Sequence, residues 1–470
     1  MPAATSAADR GRARTGGVKK NLAEAIRQEI EEEIRRTVER VFRSQQQLGH
    51  VDLEAAERAI RWSVHQMGGH VLEKLLNADN GGYRGIQIDC GHGHPAGFVA
   101  YRSKDVVTVL SSVQVERAYY YCAVCGAGRI PKDEDLDIVD SSFSPGVRRM
   151  MGRVGGKEAF DEGRQDMEEL AGVRVSTKAV ERVAETIGQD IERTHRKEQQ
   201  AALAGRLESI EVAATLYIAM DGTGVPIVPR EAEGRQGKDE TGRAKTREAK
   251  VGCVFTQTRL DNEGRPERDP QSTTYVGAIE TAEEFGPRIY AEAVRRGLKG
   301  ARRVVLLGDG APWIWNIADE HFPGATQIVD LYHARQHLAN LAKIVYGPPS
   351  AKAKDWAAGR VEELDEGNIE AVVTTLKRLR PRDSAIQKEI GKAVSYFQTN
   401  TARMRYAQFR REGFFVGSGV VEAGCKTIIG HRLKQSGMRW TVRGANAIIA
   451  LRCEQLSGRW EEYWEVRSAG

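Results

Sequence analysis

Cysteine is scarce in this sequence, and long apolar runs are missing altogether. Six cysteines scattered through 470 residues are too few for a disulfide framework, so the thiols are expected to be reduced. No stretch approaches the roughly 18 consecutive apolar residues of a membrane span. Mean hydropathy is −0.48 and 29% of residues are charged, which argues against a membrane protein. The opening MPAATSAADRGRARTGG carries arginine and small residues with no apolar core behind them. It reads as a flexible polar tail over residues 1–20, not a secretion signal, and a cytoplasmic, nucleoid-associated address is expected. A strong excess of one charge is also lacking: the net charge is +5 and the pI near 8.8, which permits nucleic-acid binding without demanding it. No internal repeat is evident.

The distribution of charge says more than its sum. Between Arg403 and Arg443 the basic residues Arg403, Arg405, Arg410, Arg411, Lys426, Arg432, Lys434, Arg439 and Arg443 face only Glu412 and Glu422. That excess suits contact with phosphates, and a solvated surface would look the same.

Length alone implies roughly two to four folded units. In the N-terminal helical region, residues 21–80, Leu22, Ile26, Ile30, Ile34, Val38 and Val41 recur at helical spacing. That stripe lacks a sustained heptad, so it either packs within the chain or joins two copies. A second helix is expected from about Asp52 to Asn77, ahead of the break Asn80-Gly81-Gly82. Residues 86–135 then switch to strand texture in FVAYR, VVTVL and VQVERAYYYC. This small β unit carries Cys90 at its start and Cys122 and Cys125 at its end. Thiolates at C-x-x-C spacing suit tetrahedral zinc, and a second such pair would complete a zinc ribbon. Here Cys90 is followed by His92 and His94, so a Cys3His site is expected with its fourth ligand open. The alternative is a metal-free hairpin with buried thiols. Residues 144–205 return to helix, and DMEELAGVRVSTKAVERVAE outlines two helices joined through Gly172 with Ser176 as N-cap. The outline is helix-turn-helix-like, and any helical hairpin would share it.

From residue 213 the texture is mixed α/β. LYIAMDGTGVPIV, KVGCVFTQT and STTYVGAIE are strand candidates. RRVVLLGDG ends in Asp309, and ATQIVD ends in Asp330 ahead of a helix carrying His333 and His337. Carboxylates at strand ends sit on rigid backbone facing the crevice where open sheets bind ligands. Asp221 and Asp309 with a third carboxylate can hold two Mg2+ (or Mn2+) ions about 3.5–4 Å apart, a pair suited to displacement at phosphorus. Glu422, beside the helical stripe Val421, Cys425, Ile428 and Ile429, is placed to be the third.

The strings AMDGTGV, LLGDGAPWIW, VDLYHARQHL, SGVVEAGCKTIIGHRLKQSGMRWT and AYYYCAVCG with its following PKDE resemble those of bacterial insertion-sequence transposases of the ISKra type, relatives of the mutator-like DDE superfamily. The similarity runs from about residue 80 to 455. It implies a multidomain α/β protein whose ribonuclease-H-like catalytic core, in residues 213–337 and 416–460, is interrupted by a helical insertion at 338–415. It implies the catalytic set Asp221, Asp309 and Glu422, with Asp330 and His333 as accessory residues beside it. The expected activity is metal-dependent cleavage of double-stranded DNA at terminal inverted repeats and strand transfer into target DNA, by a homo-oligomer. Lys426, Arg432, Lys434, Arg439 and Trp440 are the expected DNA contacts. Rival readings are a nuclease of the same fold without strand transfer, and a domesticated DNA-binding regulator.

Overall fold

The computed structural model describes residues 23–24, 26–39, 42–43, 52–210, 214–233, 245–347 and 350–469; the expected tail over 1–20 lies outside them. The chain forms two compact units, residues 1–154 with 159–183 and residues 155–158 with 184–470. It is a multidomain α/β protein, and no helix among the described residues is long and apolar enough to cross a membrane.

In the first unit, residues 26–39 (α1) and Leu53–Leu76 (α2) are helical. Leu22 and Val41, the ends of the expected stripe, lie outside the described residues. Asp52 starts α2 by accepting a hydrogen bond from the Ala55 N–H, and Glu29 of α1 pairs with Lys74 at 3.4 Å. Gly81 and Gly82 turn the chain at φ +67° and +72°, a region open to glycine at little cost. Four antiparallel strands follow in sequential order: β1 (Gln87–Asp89), β2 (Pro95–Val107), β3 (Ser112–Cys122) and β4 (Ala127–Arg129). VVTVL is not a strand of its own. Val106 and Val107 finish β2, and the Thr108 hydroxyl turns the chain by accepting from the N–H groups of Leu110 and Ser111.

The PKDE run forms the short helix α3 (Pro131–Asp135), and its charges are spent internally. Buried Asp133 meets Arg117 at 2.8 Å and Lys104 at 3.3 Å, while buried Lys132 meets Asp79 at 2.7 Å. Helices α4 (Pro145–Lys157), α5 (Phe160–Ala171) and α6 (Thr177–Leu203) complete this stretch. Gly172, at φ +70°, ends α5, and the Ser176 hydroxyl accepts from Ala179 N–H at the start of α6. The hairpin closes on Val147, Met151, Met167, Val173 and Val180. At 27 residues α6 is far longer than the outline of a two-helix motif required, and its residues from Ala184 onward belong to the second unit.

The second unit is built on a five-stranded sheet in the order β11-β10-β5-β6-β9. Its strands are β5 (Thr215–Pro226), β6 (Thr246–Gln257), β9 (Thr274–Ala278), β10 (Arg303–Gly308) and β11 (Thr326–Val329); β7 (Arg259–Leu260) and β8 (Pro266–Glu267) make a separate hairpin. Central β5 pairs antiparallel with β6 and parallel with β10, β6 pairs antiparallel with β9, and β10 parallel with β11. The run LYIAM is buried at every residue, as expected of a strand covered on both faces.

The helices are α7 (Ala282–Arg295), α8 (Pro312–His321), α9 (Leu331–Tyr346), α10 (Ala351–Asp365), α11 (Ile369–Arg378), α12 (Ser384–Thr399), α13 (Tyr406–Arg411), α14 (Gly419–Gly424), α15 (His431–Leu433), α16 (Val442–Leu456) and α17 (Trp460–Ala469). A π-helical turn, Cys425–Gly430, links α14 to α15. Side chains alternate between sheet faces. Those of Asp221, Thr223, Val251 and Arg247 share one face, which α14, the π-turn and α16 cover. Gly252 faces the other way, where a Cβ would come within 2.6 Å of Ile289 Cδ1 on α7.

Two contacts fix the helical layer. A Cβ on Gly188 of α6 would sit 2.0 Å from the Ala447 carbonyl oxygen, so α6 and α16 meet backbone to backbone. Near it, Glu454 accepts hydrogen bonds from His195 Nε2 at 2.6 Å and Arg459 Nε at 3.0 Å, and Arg459 also holds Glu292 at 2.8 Å. Burial works to raise the Glu454 carboxyl, but the bonds from His195 and Arg459 outweigh it and hold the group at about 2. A depressed carboxylate contributes stability above its unfolded value, and loses it as pH falls toward the folded one. The contribution is on the order of 3 kcal/mol and disappears between about pH 4.5 and 2. Urea unfolding should therefore show Glu454→Gln less stable than the parent at pH 7, with a shallower loss on acidification to pH 3. Parallel pH profiles would count against this network. Gly188→Val should lower the unfolding free energy read from urea titration by at least about 1–3 kcal/mol, the range usual for overpacking, because backbone and not a side-chain end must move.

Candidate active site and zinc centre

Two separate groups of side chains, one in each unit, are the candidates for chemistry. In the first unit, the chain from Cys90 to His94 turns through Gly91 (φ +90°) and Gly93 (φ +78°), and Cys90 N–H donates to the His94 carbonyl. Cys122 ends β3, and Cys125 is followed by Gly126 at φ +66°. These turns converge the ligand atoms of Cys90, His94, Cys122 and Cys125 within 4.8 Å of one another. Cys90 Sγ and Cys125 Sγ are 3.6 Å apart. The edge of a tetrahedron with zinc–sulfur bonds of about 2.3 Å is ~3.8 Å, so the thiols already have nearly the needed spacing.

His94 Nδ1 is buried without a hydrogen-bond partner, the state of a nitrogen kept for a metal. His92, the other candidate, has its Nδ1 3.9 Å from Cys90 Sγ and does not belong to the converging set. Burial opposes ionisation of Cys90, yet the backbone N–H groups of His92 and His94 bring its thiol below the ordinary value. Cys122 is lowered chiefly by the Cys125 N–H, whereas Cys125 is raised, first by its bond to Cys122. Three crowded thiols cannot all ionise without a cation, and these four side chains can hold zinc.

In the second unit, Asp221 does not end its strand. β5 runs on to Pro226, paired with β6, while β10 stops at Gly308. The last residue pair between β5 and β10 is Ala219 with Leu307, so two residues further along that register Asp309 comes beside Asp221. Burial first, and then the negative charge of Asp309, push the Asp221 carboxyl up, against donation from Gly222 N–H and the Cys425 thiol and the influence of His333. Asp309 Oδ1 accepts from Ala311 N–H at 2.8 Å, and the Tyr396 hydroxyl donates to the Asp309 carbonyl at 2.9 Å. Glu422, on α14 and about one-third exposed, lies 3.5 Å from His333 Nε2 and 4.0 Å from Lys426 Nζ. The four residues Asp221, Asp309, His333 and Glu422 are thus linked through the charges on Asp221 and the His333–Glu422 contact.

The acids do not form a single-ion cage: among the described residues, the Cys3His set alone gathers three or more His, Cys, Asp or Glu ligand atoms within 4.8 Å. A pair of ions is held by a wider spread of carboxylates than one ion. The donors of Asp221, Asp309 and Glu422 are carboxylate oxygens, the ligand type that hard divalent cations take.

Asp330 is fully buried and has no free oxygen for a metal or DNA. Its carboxylate accepts from His333 N–H at 2.7 Å and from Ser418 N–H, and its own N–H donates to Gly308 O. His337 stacks on Tyr396 at 4.2 Å between ring centres, and burial lowers its imidazole below the usual value.

The expected DNA contacts divide by burial. Arg432 is wholly buried; its Nε donates to Gly155 O at 3.0 Å, and its guanidinium lies over Trp440 at 5.0 Å. Trp440 is buried too, and its indole N–H donates to Leu433 O. These two hold the loop after α15 in place, and neither offers a surface to DNA. Lys426, Lys434 and Arg439 are exposed, and Lys434 Nζ reaches Thr223 Oγ1 at 2.5 Å, on the Asp221 face. Sequence reasoning passed over Cys425 and Tyr396. Cys425 was visible only as a stripe residue, and Tyr396 lies on α12, where nothing in the sequence ties it to Asp309.

Residues 97–467 match the uncharacterised protein family UPF0236, and the chain belongs to that family. None of the curated proteins matches. Among solved structures, the chain is similar to the Drosophila P element transposase strand transfer complex at 9% identity, with a TM-score of 0.22, over 68% of this chain and 80% of that chain.

For the zinc centre, elemental analysis of protein purified without chelator should find about one zinc per chain, as for a closed structural site. His94→Ala and Cys122→Ser should lose it while His92→Ala keeps it. Zinc retained by His94→Ala would return the fourth position to another group.

Proposed function

We propose that this chain is a DNA transposase of the DDE kind, similar to those of ISKra-type insertion sequences, cutting phosphodiesters at the ends of its element and joining them to target DNA. The observation that carries the reading is the proximity of Asp309, in the turn just after β10, to Asp221 on β5, with His333 acting on Asp221 and in contact with Glu422. The sheet order supports a ribonuclease-H-like core. A central strand with an antiparallel hairpin on one side and two parallel strands on the other is the arrangement that reading requires. The helices α10–α13, between the second and third acids, stand where the inserted domain is expected.

Asp221, Asp309 and Glu422 would hold two divalent ions, magnesium or manganese; when bound, these supply activation of the attacking oxygen and stabilisation of the leaving oxygen. The chain's own residues orient that chemistry. Asp221 and Asp309 repel each other in the absence of cations, so the pair is primed to take up positive charge. His333, in contact with Glu422, fixes that carboxylate on the crevice side, and Tyr396 holds the turn after β10 by its backbone. Lys426, Lys434 and Arg439 supply exposed positive charge for the strand. The first unit, with its zinc centre and its helical hairpin, would recognise terminal repeats. Joining two ends calls for a homo-oligomer.

Asp309→Asn should abolish Mg2+-dependent cleavage of a duplex carrying the element end, a loss of at least about 10³-fold on the scale of removed charge stabilisation. Duplex binding should persist. A variant that cuts at the parental rate would remove the assignment. Supplying pre-cut ends to the parent protein separates a transposase, which joins them to target, from a nuclease, which does not.

A further inference from the structure

The second unit contains a basic cleft that none of the catalytic residues lines. It has a volume of about 650 Å3, and its walls come from α6 (Arg193, Arg196), the far end of β6 (Arg247) and the start of α16 (Arg443). The Gly188–Ala447 contact sets α6 against α16 and so fixes the spacing of these walls.

The two acids in the cleft are already committed. Glu192 binds buried Arg288 through both oxygens, at 2.6 and 3.0 Å, and Glu231 accepts the Val442 N–H at 2.7 Å. The arginines are held only loosely. Arg193 and Arg196 are 66% and 72% exposed, and each reaches an acid on its own helix, where an exposed pair is worth little. Arg443 donates to the neutral Gln189, and Arg247 Nε is buried without a hydrogen-bond partner among the described residues. Guanidinium groups left with unspent donors around a cleft are suited to phosphate oxygens, which they bind by two parallel hydrogen bonds.

Position favours a polymer over a small anion. Arg247 shares the sheet face of Asp221 and stands opposite Val225, four residues along β5 from Asp221. At about 3.3 Å per residue this is ~13 Å, the rise of about four base pairs of duplex. Thr223, between them on the same face, is the residue that Lys434 contacts. Positive groups therefore continue from the acidic crevice along the extended hairpin into the cleft.

We infer that the cleft formed by Arg193, Arg196, Arg247 and Arg443 is a track for the DNA phosphate backbone, holding the duplex that leads away from the Asp221–Asp309 crevice. The inference rests on the transposase reading for the identity of the polymer, and its test does not depend on catalysis.

The full-length protein is titrated in metal-free buffer into a fluorescent duplex, and the affinity is followed between about 50 and 200 mM salt, where each phosphate contact contributes ~0.9 to the slope of log K against log salt. The triple variant Arg193→Ala, Arg196→Ala, Arg443→Ala changes exposed side chains only and should keep the fold. Its slope should fall by about 2.7, three contacts' worth. A control of equal charge change, Arg259→Ala, Arg265→Ala, Arg382→Ala, lies outside the cleft and should leave the slope as in the parent. Equal slopes for the triple variant and the control would overturn the track, as would a parent protein with no salt-dependent duplex binding. If the slope falls as expected but Asp309→Asn still cuts DNA, the track stands and the catalytic assignment fails. If the slope is unmoved while Asp309→Asn abolishes cutting, the reverse holds.

Discussion

One buried carboxylate ties together the segments on which the acidic crevice depends. Asp330 binds the end of β10, just before Asp309, through its N–H; it caps α9 at His333 with one carboxylate oxygen and holds Ser418, four residues before Glu422, with the other. The Leu331 N–H reinforces the same junction by donating to Val416 O. A buried carboxylate is tolerable only when its oxygens are satisfied, and here backbone donors satisfy both. The consequence is geometric. Three segments far apart in the chain meet at one point, just ahead of Asp309, at His333 and four residues before Glu422.

The two sites differ in how they are held, and their chemistry accounts for the difference. The thiol site is a closed set built on short turns, where Gly91, Gly93 and Gly126 provide the left-handed backbone that tight knuckles need. Its ligands can converge because softer, fewer donors suit zinc's small tetrahedron. The acidic group is spread out, with its carboxylates on β5, the turn after β10 and α14. Under the proposed function, hard cations that keep water would need that spread. The π-turn after α14 places Cys425 against Asp221 while Glu422 stays one turn earlier, at the partly exposed side of the helix.

Charge in this protein is sorted by burial. Arg432, expected from the sequence to contact DNA, is buried and bound to a carbonyl of the second unit, and Arg288 and Arg459 are buried on acids. The acids that balance them, Glu192, Glu280, Glu292 and Glu454, are withdrawn from the surface along with them. Lys426, Lys434 and Arg439, and at the cleft Arg193, Arg196 and Arg443, remain exposed. The modest net charge of the chain is therefore a poor guide to the field a polyanion would meet.

Periodicity alone determined much of this architecture. The α2 helix, the strands around AYYYC and LYIAM and the helix after Asp330 were legible because periodicity is a local property, and the convergence of Cys90, Cys122 and Cys125 because metal-ligand spacing is. Only the tertiary structure decided which histidine completes the thiol set, since both His92 and His94 follow Cys90 closely enough in sequence to reach it. It also decided that Arg432 and Trp440 are core residues, that PKDE is an internal ion cluster, and that β5 runs past Asp221. Those questions turn on what lies across from a residue in space. A sequence records neighbours along the chain, whereas burial, pairing and the sharing of a sheet face are set by segments tens or hundreds of residues away.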